Sequence, residues 1–251
     1  LINCNIFYIK MISKKNITKV FYLFLFSHLF LWVFVPSISN TNLPLDTIEA
    51  LAWGSNLDWG YSKHPPFSAF VVELFYIIFG KNDWGFYLLS QLCVIISFFY
   101  IWKLSKDFFS NKIFCLLSLL ILEGIVFFNY TTPEFNVYVC QLPLKAMAVY
   151  FFWEGLKNDK ITNWFLFGTL SALGVLTHYS FTFLILSLSI FFIFFSNKTK
   201  KQIQYFFISI LIFIFLITPH LFWLIENNLT TIFYALNRTG IESRSWANHF
   251  Y

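Results

Sequence analysis

The chain has 251 residues, of which 58% are hydrophobic and only 12% charged, with a formal net charge of +5. Soluble domains carry roughly 25% charged residues, and several apolar runs here approach the length a helix needs to cross a bilayer, so a polytopic membrane protein is expected and an ordinary soluble domain is excluded. The basic residues are spread between the apolar runs, not gathered in a stripe, which argues against nucleic-acid binding. No P-loop or Rossmann glycine pattern occurs, which disfavours a nucleotide-sugar donor held in a soluble fold.

In chain order, residues 1–19 read as a cytoplasmic segment in which Met11 is a candidate start. The apolar run 20–35 has no A-x-A cleavage site after it and reads as a retained span. Further spans are expected at 84–102, 113–128, 137–153, 161–177, 181–195 and 205–217. The shorter ones reach only about 20–24 Å at 1.5 Å per residue and need snorkelling flanks or local bilayer thinning. An eighth run, 66–80, carries Glu73 and lies between Pro65-Pro66 and Gly80. Counted as a span, it would place Lys103, Lys106 and Lys112 outside. Counted as an interfacial or re-entrant helix, it leaves these three inside, together with Lys14, Lys15, Lys19, Lys157, Lys160, Lys198, Lys200 and Lys201. The charge pattern therefore predicts a transmembrane domain over 20–218 with an outer loop at 36–83, followed by an outer-face tail over 219–251.

Phe occurs 36 times, and Ile, Asn and Lys are also abundant, a bias that AT-rich coding produces without selection, so aromatic stripes carry no functional weight. Cys4, Cys93, Cys115 and Cys140 are scattered, suggesting neither a disulfide framework nor a zinc site. The outer loop holds the most polar long stretch, "LDTIEALAWGSNLDWGYSKHPPFSAF" at 45–70. Asp46 and Glu49 stand three apart at the start of a predicted helix, the spacing of a capping box. Carboxylates just outside a bilayer are equally suited to act as a general base or as metal ligands, and the two readings are compatible. Glu123 and Lys145 fall within predicted spans, where an unpaired charge is costly, so they either pair or face a cavity. His28, inside the first span, reads as a hydrogen-bonded packing residue.

The order and spacing of Asp46, Glu49, Trp53, Trp59, Gly60, Tyr61, His64, Pro65 and Pro66 resemble the first outer loop of bacterial family 39-type lipid-linked glycosyltransferases. That group includes the lipid A aminoarabinose and galacturonic acid transferases and the protein mannosyltransferases. "TPEFNVYVCQLPL" at 132–144, "LGVLTHYSF" at 173–181 and "TPHLFWLIENNLTTIFYALNRTG" at 218–240 are similar to later segments of the family. The resemblance implies an all-α, GT-C-like transmembrane bundle in the bacterial inner membrane, with a periplasmic active face. It implies a sugar moved from a polyprenyl-phosphate carrier to a lipid A, lipopolysaccharide-type or protein acceptor, with a divalent metal as a candidate cofactor.

By the same resemblance Asp46 is the expected base, with Glu49 supporting it by orientation or ligation, and the two are the candidate metal ligands. Tyr61, His64, Lys145, Glu134 and His178 are the expected substrate contacts. His64 is restrained by the proline after it, and His178 stands where many relatives have Lys, which makes its charge pH-dependent. Glu134 otherwise reads as a solvated loop acid. Arg238 and Arg244 are candidate phosphate or carboxylate contacts, or hydrated loop residues. Relatives have more spans and a soluble outer domain, so the chain is expected to be a truncated form. A lipid-carrier flippase and an inactive remnant are the rival readings. A transporter should show repeated halves and broken helices at the midplane, and neither is seen.

Overall fold

The computed structural model describes residues 14–238, within which every regular element is helical. The elements are α1 (Lys14–Ser39), α2 (Leu45–Gly54), α3 (Phe67–Phe79), α4 (Asp83–Phe108), α5 (Lys112–Glu123), α6 (Val137–Lys157), α7 (Ile161–Thr177), α8 (Phe181–Ile190), α9 (Lys200–Glu226) and α10 (Thr230–Arg238). The chain is thus the all-α membrane-type bundle expected from composition. By length and hydropathy α1, α4 and α9 can each cross a membrane. The 21-residue α6 runs unbroken through Gln141, Pro143 and Lys145. Met11, Cys4 and Arg244 lie outside the described residues.

The long helices form a row in which α1 packs on α4, α4 on α6, α6 on α7 and α7 on α9, with α8 against α6 and α7. Where lipid surrounds a bundle, helices gain little from hydrophobicity alone and associate through close packing of small residues. Gly168 on α7 is such a point, because a Cβ there would sit 2.4 Å from Ser209 O on α9. Three buried clusters follow. Phe21, Val94, Phe98 and Trp102 join α1 to α4, with Phe21 and Trp102 stacked at 4.5 Å. Phe152, Trp164, Phe192 and Phe206 join α6, α7 and α9 to the turn after α8. Ala50, Val72, Phe86, Val139 and Cys140 fasten α2 and α3 onto α4 and α6.

Two boundaries differ from the sequence expectation. The run 113–128 is not one helix: α5 ends at Glu123, Gly124 follows as its C-cap, and a 3₁₀ turn (Val126–Phe128) carries the chain on. The Asn129 side chain holds this break by donating to the Glu123 carbonyl. Pro219, expected to open the tail, lies inside α9, which continues to Glu226. A proline removes one backbone hydrogen bond, and membrane helices tolerate it when side chains and neighbours re-satisfy the freed groups. The carbonyl that loses its donor is that of Phe215, and the Thr218 hydroxyl donates to the carbonyl next to it, Ile214 O, at 2.7 Å.

The two ends of the bundle differ in charge. At one end Lys157 bridges Asp107 (2.8 Å) and Glu154 (3.2 Å), Trp153 Nε1 donates to Asp107, and Gln202 Nε2 donates to Leu156 O. Lys160, Lys198, Lys200 and Lys201 fall at the helix ends here. At the opposite end lie α2, α3, α10 and the connections around 124–136 and 177–180. From the middle of α1 toward that end a largely buried polar chain crosses to α5 and the connection after it. His28 Nδ1 is 2.8 Å from Glu123 Oε2, His28 Nε2 is 3.0 Å from Gln91 Oε1, and Gln91 Nε2 donates to Thr132 Oγ1 at 3.1 Å. Glu123 therefore pairs with His28, not with Lys145.

Candidate active site

The site is assembled at the end away from Lys157, Lys160, Lys198, Lys200 and Lys201. The first turn of a helix leaves N–H groups without partners. In α2 no side chain caps them, so the capping box expected from Asp46 and Glu49 does not form. The Asp46 N–H instead donates to Glu134 Oε1 at 3.1 Å, and Thr47 Oγ1 donates to Phe135 O at 3.2 Å. Glu134 is thus a support that fixes where α2 begins, and the α2 carboxylates are released from capping. Glu49 is ion-paired and hydrogen-bonded with Lys63, and this bond raises the Lys63 pKa.

The loop between α2 and α3 is fastened from beneath. Tyr61 is buried and stacks on Trp53 at 5.4 Å, and its N–H donates to His64 O at 3.1 Å, closing a tight turn. Burial raises the Tyr61 pKa. The Tyr61 carbonyl accepts from Thr231 Oγ1 (2.6 Å), and the Trp59 carbonyl lies 2.6 Å from His220 Nδ1. A carbonyl only accepts, so the His220 proton is on Nδ1, leaving Nε2 to accept from Tyr179 Oη at 2.9 Å. Gly60 lies so close to Trp223 that a Cβ would approach its ring to 2.3 Å.

His178 ends α7. The Ser180 N–H donates to its Nδ1 at 3.2 Å, so the neutral ring carries its proton on Nε2. Gln141 Nε2 holds the same corner through His178 O (2.8 Å) and Gly174 O (3.2 Å).

These elements enclose a cavity of about 410 Å³, whose charged and titratable lining is Asp46, Glu49, Lys63, His64, His178 and Arg238. Trp53, Tyr138 and Tyr234 supply aromatic walls. The His64 and His178 rings are 5.5 Å apart, and Tyr138 is 5.2 Å from His178. Burial, then the neighbouring His178, pushes the His64 pKa down to about 4. Burial, then the charge of Lys145, also lowers that of His178. The hydrogen bond that Arg238 donates to Tyr234 Oη raises that of Arg238.

Of the residues expected from sequence, Asp46, Glu49, His64, His178 and Arg238 meet at the cavity. Tyr61 backs Trp53, Glu134 holds α2, and Lys145 lies about one turn beyond Gln141 along α6, outside the lining. Sequence reasoning did not single out Lys63, Tyr138, Tyr234, His220 or Thr231. His220 was visible as an ionisable residue in an apolar run, the signal that drew attention to Glu123 and Lys145. As to a metal, no three His, Cys, Asp or Glu side chains converge as ligands among the described residues, and the Glu49 carboxylate is already engaged by Lys63. The residues present do not form a metal-ligand set, and no step below passes through one.

The family model described as dolichyl-phosphate-mannose-protein mannosyltransferase matches residues 63–223. No curated protein and no solved structure matches the chain. The matched range begins at Lys63 and includes His64 and His178, while Asp46 and Glu49 precede it. With nearly two thirds of its length matched, the chain belongs to the dolichyl-phosphate-mannose-protein mannosyltransferase family.

Proposed function

We propose that the cavity is the transfer site of a membrane glycosyltransferase, in which a sugar leaves a polyprenyl-phosphate carrier for a hydroxyl of a lipid A, lipopolysaccharide-type or protein acceptor. The reading is carried by one observation. An acid at the start of α2 (Asp46) shares a single cavity with Lys63, His64, His178 and Arg238, with aromatic walls between them. Transfer needs a base for the acceptor proton and cationic or hydrogen-bonding groups for the departing phosphate. Asp46 is the base. Lys63, itself steadied by Glu49, and Arg238 hold the phosphate. Trp53 and Tyr138 offer ring faces to the sugar.

The face is assigned by charge. The opposite end of the bundle is more basic than the cavity end, with Lys157, Lys160, Lys198, Lys200 and Lys201 there against Lys63, Lys81 and Arg238. The more basic end stays on the cytoplasmic side, so the cavity opens to the extracytoplasmic side, the periplasm of a bacterial inner membrane. α3 then lies along that interface. Its Ser68, Ala69 and Val72 are buried against the bundle, while Leu74, Ile77 and Ile78 are exposed for lipid.

The test is sugar transfer in vesicles containing polyprenyl-phosphate sugars and either lipid A or peptide acceptors. Asp46→Asn is expected to lower turnover by about 10²–10⁴-fold, the range of a general base, with insertion unchanged. Full activity in that variant removes Asp46 from the role. Cysteines placed at 49 and 106 should be labelled from outside at the first position only, and labelling of the second alone would invert the assigned face.

A further inference from the structure

The cavity presents two histidines whose surroundings give them different tasks. His178 has its Nδ1 occupied by the Ser180 N–H (3.2 Å) and Ser180 Oγ (2.9 Å), which fixes it as a neutral ring with Nε2–H available to donate. The His64 ring is set edge-on to Trp53 at 5.8 Å and faces His178 across 5.5 Å. The charged groups around the pair come from several elements. From α2 and the loop after it come Asp46, Glu49 and Lys63, with Glu49 and Lys63 cancelling each other. From α6 come Tyr138 in the wall and Lys145 below, and from α10 come Tyr234 and Arg238. His64 is half-buried beside His178 and Lys63, and burial first, then these neighbours, brings its proton loss below the ordinary range, to about 4.

Transfer changes the charge of the phosphate. The anomeric carbon–oxygen bond breaks and its electron pair stays on the phosphate oxygen. The acceptor oxygen bonds the sugar, and the acceptor proton goes to Asp46. A phosphodiester with one negative charge thereby becomes a monoester, which carries about −1.5 to −2 near neutral pH. A second charge about 4 Å away, at an effective dielectric near 20, raises the proton affinity of an imidazole roughly a thousandfold. By the same arithmetic the single charge of the diester brings His64 from about 4 only to the edge of neutral pH, and the second charge of the monoester carries it well above.

Building on the reading of the cavity as a phosphate-leaving site, we propose that His64 and His178 form a monoester-selective arm: His178 donates a fixed neutral hydrogen bond, and His64 takes up one proton from solvent when the phosphate gains its second charge. The arm therefore binds the leaving group more strongly than the intact donor, which is the kind of interaction that speeds a chemical step.

The test is calorimetric titration of the full chain in lipid nanodiscs at pH 7.5, in two buffers of different ionisation enthalpy. The probes are farnesyl phosphate and its methyl diester. The expected result is uptake of about one proton with the monoester and well under half a proton with the diester, and at least tenfold tighter monoester binding. His64→Gln should abolish the uptake and most of the preference. His64→Lys, already charged, should keep the preference without the uptake. Monoester binding with no proton uptake overturns the proposal and leaves the transferase reading standing. So does uptake that survives in His64→Gln, because the proton is then on the phosphate. Failure of both probes to bind at any pH between 6 and 8 removes the transferase reading and this proposal together.

Discussion

The loop carrying Lys63 and His64 stands on His220, and His220→Phe tests how firmly. The ring is fully buried and spans from Trp59 O (2.6 Å) to Tyr179 Oη (2.9 Å), joining α9 to two connections far away in sequence. Phenylalanine fills the space without either hydrogen bond. Tyr179 keeps Thr231 as a neighbour, so the main loss is the Trp59 carbonyl. A buried acceptor left unpaired costs about 1–3 kcal/mol and a lost neutral hydrogen bond about 1 kcal/mol, together roughly 3 kcal/mol. Because the loop can lift without unfolding the bundle, this energy should appear as local opening, about a hundredfold more populated. Limited trypsin digestion in detergent reads it directly. Cleavage after Lys63 tracks the open population when reclosing is fast and should accelerate about a hundredfold. Cleavage unchanged from the parent would refute the idea that His220 supports the loop.

Two further outcomes follow from the same geometry. Gly60→Ala drives a Cβ into Trp223, and overpacking of this kind costs about 1–3 kcal/mol; transfer should fall and cleavage after Lys63 should rise, while Gly124→Ala, where the backbone is right-handed and the nearest atom to a Cβ is 3.3 Å away, should leave the loop closed. With His64 titrating at about 4 when folded and 6.5 ordinarily, the unfolded chain binds more protons between those values. The His64 contribution is then complete above pH 6.5 and is lost as pH falls toward 4, by at most about 3 kcal/mol. Thermal unfolding midpoints of the parent should therefore drop more steeply over that window than those of His64→Gln, and parallel curves would sink the assignment.

The helical class and most helix positions were legible because span length and hydropathy are local properties. The run 161–177 coincides with α7, and 137–153 begins where α6 begins. The break after Glu123 was not legible, since Gly124 and the Asn129 side chain end α5 only once the chain has turned back. Nor was the path through Pro219, because propensity argued for a stop and packing of α9 on α7 overrode it. At the site, Asp46, Glu49, His64 and His178 could be read from spacing and likeness. The work of Glu134, Thr231 and His220 could not, because each acts on a backbone group 88 to 170 residues away. Lys63 was hidden for the opposite reason. It sits beside His64 and looked like an ordinary solvated lysine until Glu49 was seen against it.

The polar chain from α1 to α5 has a direction, and the direction carries a consequence. Thr132 Oγ1 donates to Asn129 O at 2.6 Å, so it must receive from the Gln91 amide. That turns Gln91 Oε1 toward His28, whose Nε2 must then donate. The other ring nitrogen, Nδ1, is left facing the Glu123 carboxylate at 2.8 Å. Two lone pairs cannot share that gap, so one hydrogen ion lies captive between the imidazole and the acid. A single shared hydrogen thus pins the first helix to two others inside an apolar bundle, to α4 through Gln91 and to α5 through Glu123.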